Sequence, residues 1–207
     1  MATQHPHPRT GYHHGDLRTA LLKAARLELA DKGVEGFTLR GCARRAMVSH
    51  AAPAHHFRDA DALLTALAAE GFRAFLAAMQ AGRQAQAGAR AELTGAGLGY
   101  VRFALAEPAL FQLMFSSSRP DFDDPDLRQA ASAAFEDLVA NVGRIRGDNP
   151  RASTAGLTDV AAAWSIVHGL AALLLGQRMA FLNNLPPDER DDVLAAIIAR
   201  TFPLREG

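Results

Sequence analysis

Cysteine is nearly absent from this chain of 207 residues, because Cys42 is the only one. A single thiol excludes a disulfide framework, so we expect a reducing, cytoplasmic environment. Long apolar runs are also missing: the longest, residues 166–175, contains His168 and is too short to span a bilayer. Residues 1–11 lack the apolar core of a signal peptide. We therefore predict no membrane partner.

Catalytic and metal-binding patterns are missing too. The sequence shows no Ser/His/Asp set, paired carboxylates, Gly-rich phosphate loop or His-x-x-x-His spacing. The adjacent pairs His13–His14 and His55–His56 would diverge by about 100° on a helix and could not readily hold one ion. Cys42 is interpreted as a core residue, and a redox role would require it to be exposed. We predict no enzyme, no catalytic residue, no metal and no cofactor.

The sequence also lacks sustained alternation of β-branched residues, whereas alanine and leucine dominate. This composition predicts an all-α fold of about nine helices. Apolar periodicity, caps and breaks place them at about residues 16–33, 38–46, 49–57, 59–80, 91–106, 108–115, 125–146, 153–182 and 187–201. In this scheme Asp16 caps the first helix, Gly33 ends it, and Asp59 caps the fourth. Residues 81–92 are predicted to be a polar, Gly- and Ala-rich connection.

Residues 38–57, TLRGCARRAMVSHAAPAHHF, are typical of two short helices joined by a tight turn. Thr38 would cap the first helix and Ser49 the second, with Pro53 as the fourth residue of that second helix. Such a unit inserts its second helix into the DNA major groove, although a helical hairpin within a larger bundle has the same spacing. The candidate DNA-contacting residues are Thr38, Arg40, Arg44, Ser49, His50, Ala51, His55 and His56.

Charge is distributed unevenly along a chain whose net charge is zero. Residues 1–58 contain nine Lys and Arg against four Asp and Glu, which leaves 13 against 18 in the remainder. A basic amino-terminal part on an acidic body is expected when one end of a protein meets phosphates. The charge pattern therefore favours DNA binding independently of the helical spacing.

Three segments in residues 12–75 together resemble the TetR family of transcriptional repressors: YHHGDLRTALLKAA, GVEGFTLRGCARRAMVSHAAPAHHF and ADALLTALAAEGF. The resemblance implies a dimeric, all-helical regulator with a ligand pocket in its remaining two thirds. We therefore divide the chain into a helix-turn-helix DNA-binding domain with its connecting helix, residues 12–80, and a ligand-binding and dimerisation domain, residues 81–204.

Two downstream segments, EPALFQLMFS and AAWSIVHGLA, resemble the regulatory domain of a TetR subgroup that has a Trp-His-Gly signature. The signature corresponds here to Trp164, His168 and Gly169. Core packing is the interpretation for Trp164, whereas His168 either lines the pocket or is a core histidine with satisfied ring nitrogens. Small neighbours would let another helix approach closely, so enlarging Gly169 is expected to disrupt packing.

The resemblance also implies a dimer interface formed by the last two helices, which pair with their copies. A symmetric dimer would place two recognition helices about one DNA turn apart. The predicted pocket is apolar and would take a hydrophobic or weakly polar molecule. Its candidate residues are Phe72, Phe75, Met79, Phe103, Phe111, Met114, Phe115, Phe135, Trp164 and His168.

Three positions depart from the pattern of the family. Met47 stands where most relatives have Gly, so it must take a negative φ or strain the turn. Ala54 replaces a Tyr and Ala60 replaces a Lys, groups that grip DNA phosphates in the family. Each lost phosphate contact weakens binding and lowers its salt dependence.

Together these observations predict a ligand-responsive transcriptional regulator, a repressor that leaves its operator when a small molecule binds. Its expected partners are double-stranded operator DNA, the effector and a second copy of the chain. The alternative is a small-molecule-binding helical dimer whose DNA-binding function is weakened or lost.

Overall fold

The computed structural model describes the backbone of residues 14–200 and the side chains of residues 17–200. Within this range the chain forms nine α-helices, two 3₁₀ helices and no strand, which confirms the predicted all-α fold. Residues 12, 13 and 201–204 of the predicted domains lie outside the described residues. The helices are α1 (His14–Lys32), α2 (Leu39–Arg45), α3 (Ala60–Gln84), α4 (Ala89–Ala106), α5 (Pro108–Ser116), α6 (Pro125–Arg146), α7 (Thr154–Leu175), α8 (Ala180–Asn183) and α9 (Pro187–Ala199).

Several helix ends follow the local signals in the sequence. The side chain of Thr38 accepts a hydrogen bond from the Gly41 N–H before α2, and Asp59 accepts one from Ala62 before α3. Gly33 ends α1 with φ 67°, a left-handed conformation that favours glycine. These three predicted ends are confirmed. The cap predicted at Asp16 is wrong, because α1 already begins at His14.

Helix α3 is longer than predicted and enters the segment expected to be a connection. It continues to Gln84, and α4 begins at Ala89, so only residues 85–88 join the two helices. Gly82 does not break α3 because it packs directly against the backbone of Gly95 in α4. Helix α3 thus crosses the predicted domain boundary at residue 80, and the division into two domains stays a prediction.

The core lies where α3, α4 and α6 pack together, with α5, α7 and α9 against α4. A small second cluster joins α6 to α7 through Val139, Val142, Val160 and Ala163. Helices α1 and α2 pack on each other, and α1 also contacts α3 and α5. The amino-terminal helices are therefore connected to the bundle through two of its elements.

The helix predicted at residues 153–182 is divided in the structure. Helix α7 ends at Leu175, and Gln177 takes φ 55° before the short α8. The Arg178 N–H then donates to the Leu173 carbonyl oxygen at 2.8 Å, which closes the helix end as a left-handed turn.

Two helices of the described residues, α3 and α7, are long and apolar enough to cross a membrane by length and composition. This is weak support for a membrane span, because core helices of water-soluble proteins pass the same test. About half of the apolar window of α3 and a third of that of α7 is buried within the protomer.

Candidate functional site

The turn after α2 places Met47 in a conformation that ordinarily suits glycine. Met47 has φ 56° and its side chain is 92% exposed. The Val48 N–H donates to the Ala43 carbonyl at 3.0 Å, and the Met47 N–H donates to Arg44 at 3.2 Å. This is the Schellman arrangement, in which the left-handed residue is usually Gly. Of the two predicted outcomes, a negative φ or a strained turn, the structure has the strained one.

The second helix of the unit is a 3₁₀ helix, Ala52–His55, and not the α-helix expected from Ser49 onward. Ala51 precedes it without a side-chain cap, so the cap predicted at Ser49 is wrong. The Ser49 carbonyl oxygen instead accepts from the Ala52 N–H at 3.0 Å. Pro53 stands in the first turn, where its missing N–H costs little, and its ring is buried.

The predicted DNA-contacting side chains are mostly accessible. Seven of the eight are exposed, whereas His56 is half-buried. The Thr38 hydroxyl is also used inside the protein, because it caps α2. The structure thus leaves these residues on the surface of the helix-turn-helix, and their contact with DNA stays a prediction.

Arg45 has a structural role that its neighbour Arg44 does not share. Its guanidinium binds the carboxylate of Glu28, which is 2% exposed, and that of Asp31 at 2.5 Å. Gly41 lets the Glu28 carboxylate lie against α2, since a Cβ there would overlap it. Arg45 therefore joins α1 to α2, whereas Arg44, like Arg40, is exposed.

Cys42 is fully buried in the same helix pair. Burial raises the pKa of its thiol to about 12, so it stays protonated and unreactive. The interpretation of Cys42 as a core residue is confirmed.

A cavity of about 700 Å³ lies among α3, α4, α5, α6 and α7. Its wall is chiefly aromatic and aliphatic, as expected of a site for a small organic molecule. Of the residues proposed from the sequence, Phe72, Phe75, Met79, Met114, Phe115, Phe135, Trp164 and His168 line it.

Two residues proposed for the pocket lie behind its wall. The Phe103 ring packs 5.4 Å from that of Phe75, and the Phe111 ring lies 4.8 Å from Phe115 and 5.5 Å from His168. Both are buried and support lining residues without bordering the cavity. Sequence periodicity placed them on the right face but could not separate the lining layer from the one behind it.

Tyr100 is a lining residue that the sequence reasoning missed. It lies in the Gly-rich stretch of α4, is 4% exposed, and its hydroxyl lies 2.7 Å from Nδ1 of His168. The signal was present, because a tyrosine among small and apolar residues needs a polar partner for its hydroxyl. His168 fulfils both of its alternatives: it lines the cavity, and one ring nitrogen is satisfied.

Trp164 is 40% exposed, so its interpretation as a core-packed residue is wrong. Its ring lies 5.8 Å from that of Phe135, which is itself 37% exposed. Phe122, another missed lining residue, is also exposed. These three partly exposed aromatic rings mark a side on which the cavity wall meets the protein surface.

The cavity has one acidic lining residue, Asp137, among the described residues. The carboxylate accepts a hydrogen bond from Arg83 Nη1 at 2.7 Å and from Asn141 Nδ2 at 2.9 Å. Asn141, which also lines the cavity, is 2% exposed and binds Arg144 through its oxygen. The acidic group is therefore neutralised from outside the cavity.

The loop between α5 and α6, residues 117–124, contacts the helix-turn-helix end of the protein. Nε of Arg119 donates to Asp61 of α3 at 2.7 Å, and Nη1 donates to the Val34 carbonyl oxygen at 2.5 Å. The Asp121 N–H donates to the Thr65 hydroxyl at 2.9 Å. Arg119 thus binds both α3 and the segment that connects α1 to α2.

The same loop borders the cavity. Phe115 precedes it and Phe122 lies within it, and both line the cavity. Arg119 lies between them in sequence and contacts the other end of the protein. A second link runs from Arg26 of α1 to Glu107 before α5, with an ion pair of 2.6 Å. Arg119 and Arg26 thus connect the elements beside the cavity to α1 and to the segment before α2.

Comparisons with known proteins agree with this architecture. A family model described as "Tetracyclin repressor-like, C-terminal domain" matches residues 93–201. A protein of unknown function from Rhodococcus sp. RHA1 is 33% identical, with a TM-score of 0.75, and the match covers 93% of this chain and 98% of that one. No curated protein is significantly similar in sequence.

Two more distant structures share the fold. A TetR family transcription regulator from Marinobacter aquaeolei VT8 is 17% identical, with a TM-score of 0.65 over 89% of this chain and 94% of its own. The regulator LfrR from Mycobacterium smegmatis, in complex with proflavine, is 18% identical, with a TM-score of 0.60 over 91% and 98%.

The assignment to the Trp-His-Gly subgroup stays a prediction. Membership of the family is shown, because the family model covers more than half of the chain. This protein belongs to the TetR family, whose members are transcriptional regulators and not enzymes.

Proposed function

We propose that the protein is a homodimeric, cytoplasmic transcriptional repressor that leaves its operator when a small hydrophobic or weakly polar molecule binds. The observation that carries this proposal is the apolar cavity whose bordering loop also binds the helix-turn-helix end. A ligand that prefers one position of that loop would shift the spacing of two DNA-binding heads. In LfrR the same fold is seen with proflavine, which supports an organic effector.

The dimer is supported by exposed apolar side chains on α7 to α9. A Cβ on Gly169 of α7 would meet no atom within 4 Å, so this helix face has room for a close partner. Burial of such side chains against a second copy would remove apolar surface from water. The exposed residues are Leu157, Trp164, Leu173, Phe181 and Val193.

Arg119 is the residue through which we expect the cavity to act on the heads. Its side chain is about a quarter exposed, and its guanidinium binds Val34, which precedes α2 in the chain, and Asp61, which follows it. Replacing Arg119 with Ala would release the loop and weaken operator binding without removing a DNA contact. Arg151, which pairs with Glu136 at 2.6 Å on the surface and does not contact the loop, provides the matched control. Equal loss in both variants would contradict this route.

The alternative function, ligand binding without DNA recognition, has specific support. Met47 strains the turn, Arg45 is engaged by Glu28, and exposed Ala54 offers no polar group. Arg58 is paired with Asp59 at 2.8 Å. The cationic groups left for phosphates in this region are few, although Arg40 and Arg44 remain exposed.

A titration with DNA separates the two functions. Fluorescence anisotropy of a labelled fragment from upstream of the protein's own gene is measured at two salt concentrations, with a scrambled fragment as control. A repressor binds the upstream fragment more tightly and loses affinity as salt rises. Equal, weak binding of both fragments would leave the ligand-binding dimer as the function.

A further inference from the structure

Tyr100 of α4 and Trp164 and His168 of α7 line the cavity, and Tyr100 interacts directly with His168. The Tyr100 hydroxyl oxygen lies 2.7 Å from His168 Nδ1, and the two rings are 6.3 Å apart, edge to face. Trp164 and His168 are one turn apart on α7, on the same side of the helix, and both line the cavity. Burial raises the pKa of Tyr100, and a hydrogen-bonding interaction with Trp164 partly opposes that rise.

The direction of the Tyr100–His168 hydrogen bond follows from the chemistry of the two groups. The Tyr100 O–H, 4% exposed, needs an acceptor, and Nδ1 of His168 is the one within reach. Burial lowers the pKa of His168, which keeps its imidazole neutral at pH 7. A neutral ring that accepts at Nδ1 has its hydrogen on Nε2.

Nε2–H of His168 is therefore a donor whose direction is set by its neighbours. Among residues 17–200, no protein atom is hydrogen-bonded to Nε2. The ring lines the cavity and is surrounded by Phe111 and Phe115, which offer no acceptor of this kind. A hydrogen-bond acceptor on a bound molecule would give Nε2–H of His168 a partner.

The remaining wall decides the charge of that molecule. Asp137 is bound by Arg83 and Asn141, so it has little attraction left for a cation. No cationic side chain lines the cavity among the described residues, so an anion would enter without a partner. A volume of about 700 Å³ suits a molecule of several fused rings.

We propose that the effector is an uncharged, predominantly apolar molecule with one hydrogen-bond acceptor, such as a carbonyl oxygen, which His168 binds through Nε2–H. This inference rests on the proposed function only in that it treats the cavity as the effector site. It assigns Tyr100 as the positioning residue that holds the imidazole in the donating tautomer.

The test uses two probes of nearly the same shape, fluorenone, which has a carbonyl, and fluorene, which lacks it. Trp164 is the only tryptophan of the chain and lies in the cavity wall, so its fluorescence reports occupancy. We expect fluorenone to bind roughly three- to tenfold more tightly, the value of one neutral hydrogen bond. His168→Phe should abolish this preference, so that fluorenone and fluorene bind the variant equally. Ser165→Ala, which removes the neighbouring hydroxyl donor, should retain it.

Equal affinity of the wild-type protein for the two probes, or no binding of fluorenone, would overturn the inference. So would tighter binding of the carboxylate derivative of fluorene, because the cavity would then accept an anion. If the preference were lost in Ser165→Ala but kept in His168→Phe, the donor would be Ser165 and the inference would be wrong.

NMR of the imidazole nitrogens, in protein with isotope-labelled histidine, reads the tautomer without any probe. The signals that disappear in His168→Phe belong to His168, and they should report hydrogen on Nε2. Tyr100→Phe should shift them toward a mixture of tautomers, whereas hydrogen on Nδ1 in the wild-type protein would overturn the assignment. Neither measurement uses DNA, so failure of operator binding and failure of this inference are separate results.

Discussion

Gly82 of α3 and Gly95 of α4 bring the two helix backbones into direct contact. A Cβ on either glycine would overlap the carbonyl oxygen of the other, and one on Gly99 would overlap that of Ala78. Helix α3 begins beside the helix-turn-helix, and α4 supplies Tyr100 to the cavity. The spacing of α3 and α4 therefore determines both the position of the DNA-binding end and the shape of the cavity.

Gly95→Ala is expected to destabilise the protein. The added methyl group meets a backbone atom that cannot move without separating the helices, a cost of about 1–3 kcal/mol for overpacking. Urea denaturation measures the free energy of unfolding. Gly169→Ala is the control within a protomer, because its Cβ would meet nothing within 4 Å. Because Gly169 lies on the proposed dimer face, both variants are compared at a concentration at which the protein is a single chain. Equal stability of wild type and Gly95→Ala would contradict the close contact between α3 and α4. Within a protomer, the open space at Gly169 does not support the sequence-based expectation that a larger residue there disrupts packing.

The helix ends predicted correctly are those set by local chemistry. Thr38, Asp59 and Gly33 act through backbone groups within a few residues, so the sequence contains the whole interaction. The connection predicted at residues 81–92 was wrong because Gly82 reads as a helix breaker until its contact with Gly95 is known. Tertiary packing here overrides a weak local preference.

The candidate cavity was predictable in composition but not in layering. Aromatic periodicity identified Phe75 and Phe115, which line it, together with Phe103 and Phe111, which lie behind them. Tyr100 was missed because its role depends on a contact with His168, 68 residues further along the chain. Pairings across such distances are not visible in the spacing of one segment.

Met47→Gly is expected to stabilise the protein. An L-residue in the left-handed region costs roughly 1–2 kcal/mol, and the greater flexibility of glycine when unfolded offsets part of that gain. The free energy of unfolding should rise by about 0.5–1 kcal/mol, measured as a higher midpoint of urea denaturation. The reverse change, Gly33→Ala at φ 67°, should destabilise by a similar amount, since no atom lies within 4 Å to complicate it. A lower stability of Met47→Gly would contradict the strain at this position and would mean that the methionine side chain stabilises the fold.

Arg44 and Arg45 are neighbours in sequence, but replacing them should have different effects: one on DNA affinity and the other on thermal stability. Arg44→Ala removes an exposed positive charge and should lower operator affinity, with the salt dependence reduced by about one phosphate contact. Arg45→Ala leaves buried Glu28 without its partner and should lower the melting temperature. Anisotropy titrations and thermal denaturation of both variants check this. A normal melting temperature for Arg45→Ala would contradict the link between α1 and α2.

His168 should contribute to acid sensitivity. Burial lowers its pKa below the ordinary value of 6.5, so the unfolded chain binds a proton more readily than the folded one. The resulting stability is present above pH 6.5 and is lost as the pH falls toward the folded pKa. His168→Phe should therefore flatten the dependence of unfolding free energy on pH in that window. His55→Asn, at an exposed position, is the control, and an unchanged slope in His168→Phe would argue against a buried neutral imidazole.

Leu173→Glu is expected to separate the proposed dimer. Leu173 lies on α7 and is 45% exposed in the protomer, so a charge there is tolerated in the monomer but must be desolvated in an interface. Sedimentation should give the mass of a single chain, and operator affinity should fall because two heads no longer bind together. Leu27→Glu on α1, at a position 60% exposed and far from α7 in sequence, provides the matched control for mass. If Leu173→Glu remained a dimer while Leu27→Glu dissociated, the interface would lie at the amino-terminal helices and not at α7 to α9.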